Sequence, residues 1–125
     1  MNLLDSSVWL EYFAGGPRAQ RFTGVVEAVE KVLVPTIVLV EVARRVMQQR
    51  GEDAALQVAA LMHQGRVADL DSAIALSAAH LGVAHKLPLA DSIIYATARQ
   101  FRATLWTMDA DFAELPDVRY FSKST

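Results

Sequence analysis

The sequence of 125 residues contains no cysteine, and this absence excludes several kinds of protein at once. A disulfide scaffold, a zinc site with thiolate ligands and a cysteine nucleophile all need that residue. A chain without cysteine also has no need of an oxidising compartment, which favours the cytoplasm. Any catalytic or metal-binding chemistry therefore has to rest on other side chains.

Hydrophobic runs long enough to cross a membrane are also missing. The longest apolar run, at residues 32–40, contains Pro35 and is much shorter than the roughly 20 residues that a spanning helix needs. Near the start of the chain, Asp5 interrupts the first apolar run, so we expect no signal peptide. The sequence thus predicts a cytoplasmic protein that does not associate with a membrane.

Neither a glycine-rich phosphate loop nor a strong positive charge is present. The 12 lysine and arginine residues oppose 14 acidic residues, which argues against a protein that coats nucleic acid. A nuclease remains compatible with this balance, because acidic residues at a metal site offset a basic rim in the total charge. The hydrophobic share of 53% is sufficient for the core of a single domain over residues 1–125.

Short apolar runs alternate with helical patterns along the whole chain. Five runs are predicted strands: residues 1–4, 32–34, 66–70, 104–107 and 118–121. The intervening segments are predicted helices: residues 6–13, 17–31, 36–50, 52–63, 72–85 and 88–102, with Thr36 as a cap. Strands that are apolar on both faces and separated by helices are typical of a parallel sheet. We predict a helix-rich, three-layer α/β/α sandwich with a short-stranded, mostly parallel sheet.

Four acidic residues lie within or directly after apolar segments, where an unpaired charge is costly. Asp5 and Asp109 follow predicted strands, whereas Glu41 and Asp91 lie near the starts of predicted helices. The carboxyl ends of parallel strands, and the helices that follow them, share one edge of a sheet. We therefore expect all four carboxylates at that edge, where they could bind a hard divalent cation.

Each acid also has a purely structural explanation. Asp5 can cap the helix that follows it, and Asp91 can complement the dipole of its helix. Glu41 can pair with Arg45, four residues along the same helix, and Asp109 can cap the last short turn. These explanations account for the acids one by one, but not for four of them at a single edge.

Four segments carry a resemblance to a known family: LLDSSVWLEYF at 3–13, PTIVLVEVARRV at 35–46, LPLADSIIYATA at 87–98 and TMDADF at 107–112. Taken together and in this order, they resemble the motifs of PIN-domain nucleases. The chain is most similar to the VapC-type toxins of prokaryotic toxin–antitoxin pairs, and the resemblance covers essentially the whole chain. It implies a PIN-like fold.

The resemblance also implies roles for the four acids. Asp5, Glu41, Asp91 and Asp109 match the acidic quartet of the family, with Asp5, Asp91 and Asp109 holding Mg²⁺ or Mn²⁺. Glu41 is either a further ligand or the group that accepts a proton from the attacking water. Three more residues match supporting positions around the quartet: Ser6, Thr107 and Asp111.

Basic residues beside the acidic segments are candidates for positioning phosphate groups. Their places in the sequence favour three of them: Arg44, Arg45 and Lys86. Tyr12 and Phe13 belong to an aromatic cluster next to Asp5, and either pack in the core or line a groove for a partner helix.

The resemblance implies a metal-dependent endoribonuclease that acts as the toxin of a type II toxin–antitoxin system. Its substrate would be RNA, its partner a VapB-like antitoxin, and its oligomeric state a homodimer. The alternative is a catalytically silent PIN domain that serves as a protein-interaction module. The intact quartet argues against that alternative.

Overall fold

The computed structural model describes residues 1–123, and a five-stranded sheet forms its centre. The strands are β1 (Asn2–Leu4), β2 (Val32–Pro35), β3 (Arg66–Ala68), β4 (Thr104–Thr107) and β5 (Val118–Tyr120). Their order across the sheet is β3-β2-β1-β4-β5, and all four pairings are parallel. The predicted α/β/α sandwich with a parallel sheet is confirmed.

Helices connect the first four strands, as parallel pairing requires, and the 3₁₀ turn Ala110–Phe112 lies between β4 and β5. They are α1 (Ser6–Ala14), α2 (Thr23–Glu27), α3 (Thr36–Arg50), α4 (Glu52–Met62), α5 (Ser72–His85) and α6 (Leu89–Gln100). Gly51 ends α3 as predicted, with a φ of +89° that a residue with a side chain rarely adopts. The helices that matter most for the site are α1, α3 and α6, which begin directly after β1, β2 and Pro88.

The core is centred on the three middle strands. Leu3 pairs in register with Leu33 on one side and Leu105 on the other, and none of the three is exposed to solvent. The four residues of β2 are all buried. Because these strands are covered on both faces, their sequences are continuously apolar rather than alternating, which is the pattern that predicted them.

The prediction of one helix over residues 17–31 is wrong. The segment forms a 3₁₀ helix (Pro17–Phe22), the short α2 and a second 3₁₀ turn (Val29–Lys31). Ala28 breaks the helix with ψ of 49°. Ala19 and Phe22, three residues apart, are both buried, and a 3₁₀ helix with three residues per turn places such a pair on one side.

The predicted cap of α3 is also wrong. Pro35 occupies the N-cap position, no side chain bonds to the free amides there, and Thr36 is the first helical residue. Proline has the extended backbone that an N-cap needs, with φ of −64° and ψ of 143°.

Within residues 1–123, no single helix is both long and apolar enough to cross a membrane. Only α5 and α6 taken together would meet those criteria, and their axes are bent by 115° at the break between them.

Candidate functional site

Asp5 lies at the carboxyl end of β1 and is only 3% exposed. Its Oδ1 accepts hydrogen bonds from the Ser7 hydroxyl at 2.5 Å and the Val8 amide at 3.2 Å, so Asp5 does cap α1. Its Oδ2 accepts a hydrogen bond of 2.5 Å from the Thr107 hydroxyl. Burial raises the pKa of Asp5, and these three donors oppose that rise. The cap and the acidic site therefore use the same carboxylate.

Two hydroxyl groups join Asp5 to the segment that follows β4. The Thr107 hydroxyl accepts a hydrogen bond of 2.8 Å from the Asp109 amide, and the Ser7 hydroxyl accepts one of 2.9 Å from the Met108 amide. Ser7 was not among the predicted site residues. The available signal was its position two residues after an acidic helix cap, but its bond to Met108 spans 101 positions and follows only from the fold.

Three carboxylates crowd together beside this centre. Asp91 lies in the first turn of α6, and Asp109 caps the 3₁₀ turn Ala110–Phe112 by accepting a hydrogen bond of 2.9 Å from the Asp111 amide. One oxygen each of Asp91, Asp109 and Asp111 lies within 4.8 Å of the others. Within residues 1–123, none of the three forms an ion pair with a basic side chain.

The electrostatic cost of this arrangement is concentrated on Asp91. Partial burial and then the negative charge of Asp109 raise the pKa of Asp91 to about 7, from an ordinary value of 3.8, with smaller contributions from Asp111 and Asp5. A divalent cation would relieve this repulsion. The group offers only carboxylate oxygens, which are the ligands that Mg²⁺ and Mn²⁺ prefer, so the residues present fit such an ion.

Glu41 approaches the acidic group from the second turn of α3. Burial raises its pKa, the interaction with the Ser6 side chain lowers it, and the charges of Asp5 and Asp109 raise it further. Its Oε1 is buried and has no hydrogen-bond partner among the described residues. A buried carboxylate oxygen without a hydrogen-bond donor is rare in proteins. Such an oxygen is suited either to bind a cation or to accept a proton.

The three basic candidates are placed differently. Arg45 lines a cleft between α1 and α3 that also includes Ser6 and Ser7. Arg44 and Lys86 are exposed and do not line that cleft. The alternative explanation of Glu41, an ion pair with Arg45, is not found in the part of the chain that the structure describes.

The sequence profile of the PIN domain matches residues 3–118. The chain belongs to the PIN domain family. Solved structures of similar shape are consistent with this membership, although no curated protein sequence matches the chain significantly.

The structural similarity extends over almost the whole PIN domain. A toxin–antitoxin complex from Klebsiella pneumoniae superposes with a TM-score of 0.84 at 25% identity, covering 98% of this chain and 99% of that one. VapC20 from Mycobacterium tuberculosis, a toxin that cleaves the sarcin–ricin loop, has a TM-score of 0.76 at 22% identity, with 93% and 95% covered. DNA-bound VapBC from Salmonella typhimurium has a TM-score of 0.71 at 16% identity, with 98% of each chain covered.

This PIN domain thus has its four predicted acids at one edge of the sheet. Asp5 and Asp109 are joined through Thr107, the charge of Asp109 acts on Asp91, and the charges of Asp5 and Asp109 act on Glu41. The closest trio of carboxylates contains Asp111 rather than Asp5, whose oxygens already accept three hydrogen bonds. The roles of these residues as ligands or catalysts remain predictions.

Proposed function

We propose that this PIN domain is a metal-dependent endoribonuclease and the toxin of a type II toxin–antitoxin pair. The observation that carries the proposal is the crowding of Asp91, Asp109 and Asp111, together with the unpartnered Oε1 of Glu41, on which the charge of Asp109 acts. Such a group is costly unless a cation compensates it. We take residues 1–125 as one nuclease domain that works in the cytoplasm, where RNA is available.

Asp5, Asp91 and Asp109 would hold Mg²⁺ or Mn²⁺, with an oxygen of Asp111 at the exposed side. A carboxylate has about four acceptor positions, and Asp5 already uses three of them for protein donors, so one remains for an ion. A bound divalent cation supplies Lewis acidity that lowers the pKa of a water molecule and neutralises charge on the phosphate.

The side chains around the ion would divide the remaining work. Glu41 accepts the proton of the attacking water, since its Oε1 lacks a donor and burial raises its pKa toward that of an effective base. Thr107 orients the Asp5 carboxylate by donating a hydrogen bond, and Ser6 acts on Glu41 in the same way. The water oxygen would then form a bond to phosphorus while the bond from phosphorus to the 3′ oxygen breaks. The leaving 3′ oxygen would take up a proton from solvent, so that the products carry 5′-phosphate and 3′-hydroxyl ends.

A protein partner is part of this proposal. The similar structures from Klebsiella pneumoniae and Salmonella typhimurium are toxin–antitoxin and VapBC assemblies, which supports a VapB-like antitoxin for this chain. Tyr12 and Phe13 are only partly buried, whereas Trp9 beneath them is fully buried. The aromatic cluster is therefore compatible both with packing in the core and with lining a groove for the antitoxin.

We also propose a homodimer. Apolar side chains on α5 and at the start of α6 are strongly exposed, with 75% of Leu76, 83% of Val83 and 81% of Leu89 accessible to solvent. Such patches are typical of association surfaces. Light scattering on the purified protein should give the mass of a dimer, and Val83→Glu should shift it to that of a monomer. A monomeric wild-type protein would contradict this part of the proposal.

The test of the nuclease is RNA cleavage by the purified chain with Mg²⁺, with Mn²⁺ and with a chelator. Asp91→Asn is the informative variant, because it removes a charge from a crowded group and should leave the fold intact. Asp53→Asn, at an exposed position in the first turn of α4, is the matched control. We expect ion-dependent cleavage by the wild type and the control, and a loss of about 100-fold or more in Asp91→Asn.

Two results would count against the proposal. If the wild type and Asp91→Asn are equally inactive on diverse RNAs with both ions, the chain is better explained as an interaction module. If Asp91→Asn keeps full activity, the catalytic site lies elsewhere.

A further inference from the structure

A cleft of about 470 Å³ lies between α1 and α3, and residues that adjoin Asp5 and Asp109 line part of it. Its inner end is formed by Ser6, Ser7 and Met108, which contact or adjoin the groups that hold Asp5. Its outer part includes Phe13 and Arg50, and the Arg50 guanidinium donates a hydrogen bond of 3.3 Å to the Phe13 carbonyl. The cleft therefore extends outward from residues that adjoin the acidic site.

The residues that line the cleft carry a net positive charge, which is opposite to that of the neighbouring acidic site. Four basic residues line it, against one acid, Glu11. That acid is already neutralised, because Arg18 forms an ion pair with it at 3.1 Å. The remaining three basic residues are Arg45, Arg50 and Lys123. The overall charge of the chain is slightly negative, so this is a local concentration rather than a general property.

The face of α3 that lines the cleft places one cation, Arg45, and one amide, Gln49, at increasing distances from Glu41. Glu41, Arg45 and Gln49 are spaced by four residues and share one face of the helix. At a rise of about 1.5 Å per residue, Arg45 lies about 6 Å and Gln49 about 12 Å beyond Glu41 along the axis. A chain with regularly spaced negative charges could follow this face outward.

Two of the cations are free to bind a ligand. Arg18 is held by Glu11 and the Lys123 carbonyl, and Arg50 by the Phe13 carbonyl. By contrast, within residues 1–123 the side chains of Arg45 and Lys123 form neither an ion pair nor a hydrogen bond.

We propose that this cleft binds the RNA strand next to the cleaved bond, with Arg45 and Lys123 contacting successive phosphates. The proposal rests on the nuclease function, because it assumes that a phosphodiester lies at the acids. RNA is favoured over an acidic protein segment, since Ser6, Ser7 and Met108 line the cleft and either adjoin in sequence or hydrogen-bond to the acids that would receive that phosphodiester. Leu10, Phe13 and Met108 add an apolar wall against which a base can pack.

The test is the binding of a short, fluorescein-labelled, single-stranded RNA of mixed sequence, measured by anisotropy at several salt concentrations. All variants carry Asp91→Asn, so that cleavage does not interfere. The cleft variant combines Arg45→Gln and Lys123→Gln. The control combines Lys31→Gln and Arg102→Gln, which change the net charge equally but precede β2 and β4, at the opposite edge of the sheet.

We expect the cleft variant to bind RNA about tenfold more weakly at moderate salt, and its slope of log affinity against log salt to fall by about 1.4, at roughly 0.7 for each lost phosphate contact. The control should change the affinity by less than about twofold. Equal losses in both variants would overturn the proposal, because the binding would then depend on net charge alone. Unchanged RNA binding together with lost binding of oligoglutamate would also overturn it, in favour of an acidic protein segment.

The proposal and the nuclease function can fail separately. If the wild type cleaves RNA and the cleft variant binds as tightly as the control, the cleft proposal fails and the nuclease stands. If the wild type cleaves no RNA but only the cleft variant loses affinity, the nuclease fails and the cleft stands as an RNA-binding surface.

Discussion

The hydroxyl group of Thr107 donates a hydrogen bond of 2.5 Å to Oδ2 of Asp5, from a position 102 residues away in the sequence. The same hydroxyl accepts a hydrogen bond of 2.8 Å from the Asp109 amide. Thr107 is fully buried, and its strand β4 lies beside β1, so the ends of the two strands bring the three residues together. One hydroxyl thereby sets the positions of two of the four acids.

Replacing this hydroxyl should therefore affect stability and activity together. Thr107→Val keeps the shape of the side chain but leaves a buried carboxylate oxygen and an amide without partners. We expect the free energy of unfolding to fall by about 1–3 kcal/mol and kcat/KM on RNA to fall about 10- to 100-fold. Denaturant titration and a cleavage assay measure the two effects. Thr107→Ser, which keeps the hydroxyl, should stay close to the wild type; equal losses in both variants would point to packing instead.

Divalent ions should stabilise the protein through the crowded carboxylates. In the presence of a chelator, Asp91→Asn should melt at a higher temperature than the wild type, because it removes the repulsion with Asp109. With Mn²⁺ at about 100 times its dissociation constant, the wild type should gain about 2.7 kcal/mol, and Asp91→Asn clearly less. Differential scanning fluorimetry resolves both shifts. An equal response of the two proteins to Mn²⁺ would place the ion elsewhere.

The ion-free protein should be more stable in mild acid than in mild base. The pKa of Asp91 is about 7 in the folded protein and 3.8 ordinarily, so between these values the folded state holds a proton that the unfolded chain releases. The contribution of Asp91 to the free energy of unfolding is therefore fully present below about pH 4. It is lost as the pH rises toward and through 7. The raised pKa values of Asp5 and Glu41 act in the same direction.

The measurement is the melting temperature between pH 5 and pH 8 in a chelator. The wild type should melt at a lower temperature at the higher pH, and Asp91→Asn should show a flatter dependence. A wild-type protein that becomes more stable over this range would contradict the sign of the effect.

The contact between α5 and α6 should not tolerate a methyl group at Gly82. A Cβ atom there would lie 2.4 Å from Oγ and 3.1 Å from Cβ of Ser92, whose hydroxyl donates a hydrogen bond of 2.9 Å to the Pro88 carbonyl. Gly82→Ala should destabilise the protein by about 1–3 kcal/mol. It should also reduce activity, because Asp91 precedes Ser92 in the first turn of α6.

Gly24→Ala is the matched control for that substitution. Gly24 lies in α2 with nothing within 4 Å of the added atom, so the change should be neutral or stabilising by up to about 1 kcal/mol. Denaturant titration compares the two variants. A similar cost at both positions would mean that the effect of Gly82→Ala does not come from the contact with Ser92.

Much of the architecture could be predicted from the chain because parallel strands carry a strong local signal. Residues such as Leu3, Leu33 and Leu105 are buried from both faces of the sheet, which makes their strands continuously apolar. The prediction of one helix over residues 17–31 is wrong because α- and 3₁₀-helices have similar spacings of apolar residues. In this segment the type of helix depends on which side chains are buried in the core, and Ala19 and Phe22 are two of them.

The sequence by itself predicted that Asp5, Glu41, Asp91 and Asp109 share one edge, because the first and last follow apolar strands and the other two lie near the starts of helices. Only the tertiary structure decided how these acids are held. Ser7 reaches Met108, Thr107 reaches Asp5, and Arg45 rather than Arg44 lines the cleft with α1. The physical reason is that hydrogen bonds and electrostatic repulsion depend on distances of a few ångströms between residues remote in sequence. Local sequence patterns predict the edge of the sheet on which a residue lies. They do not predict which other residues it contacts at that edge.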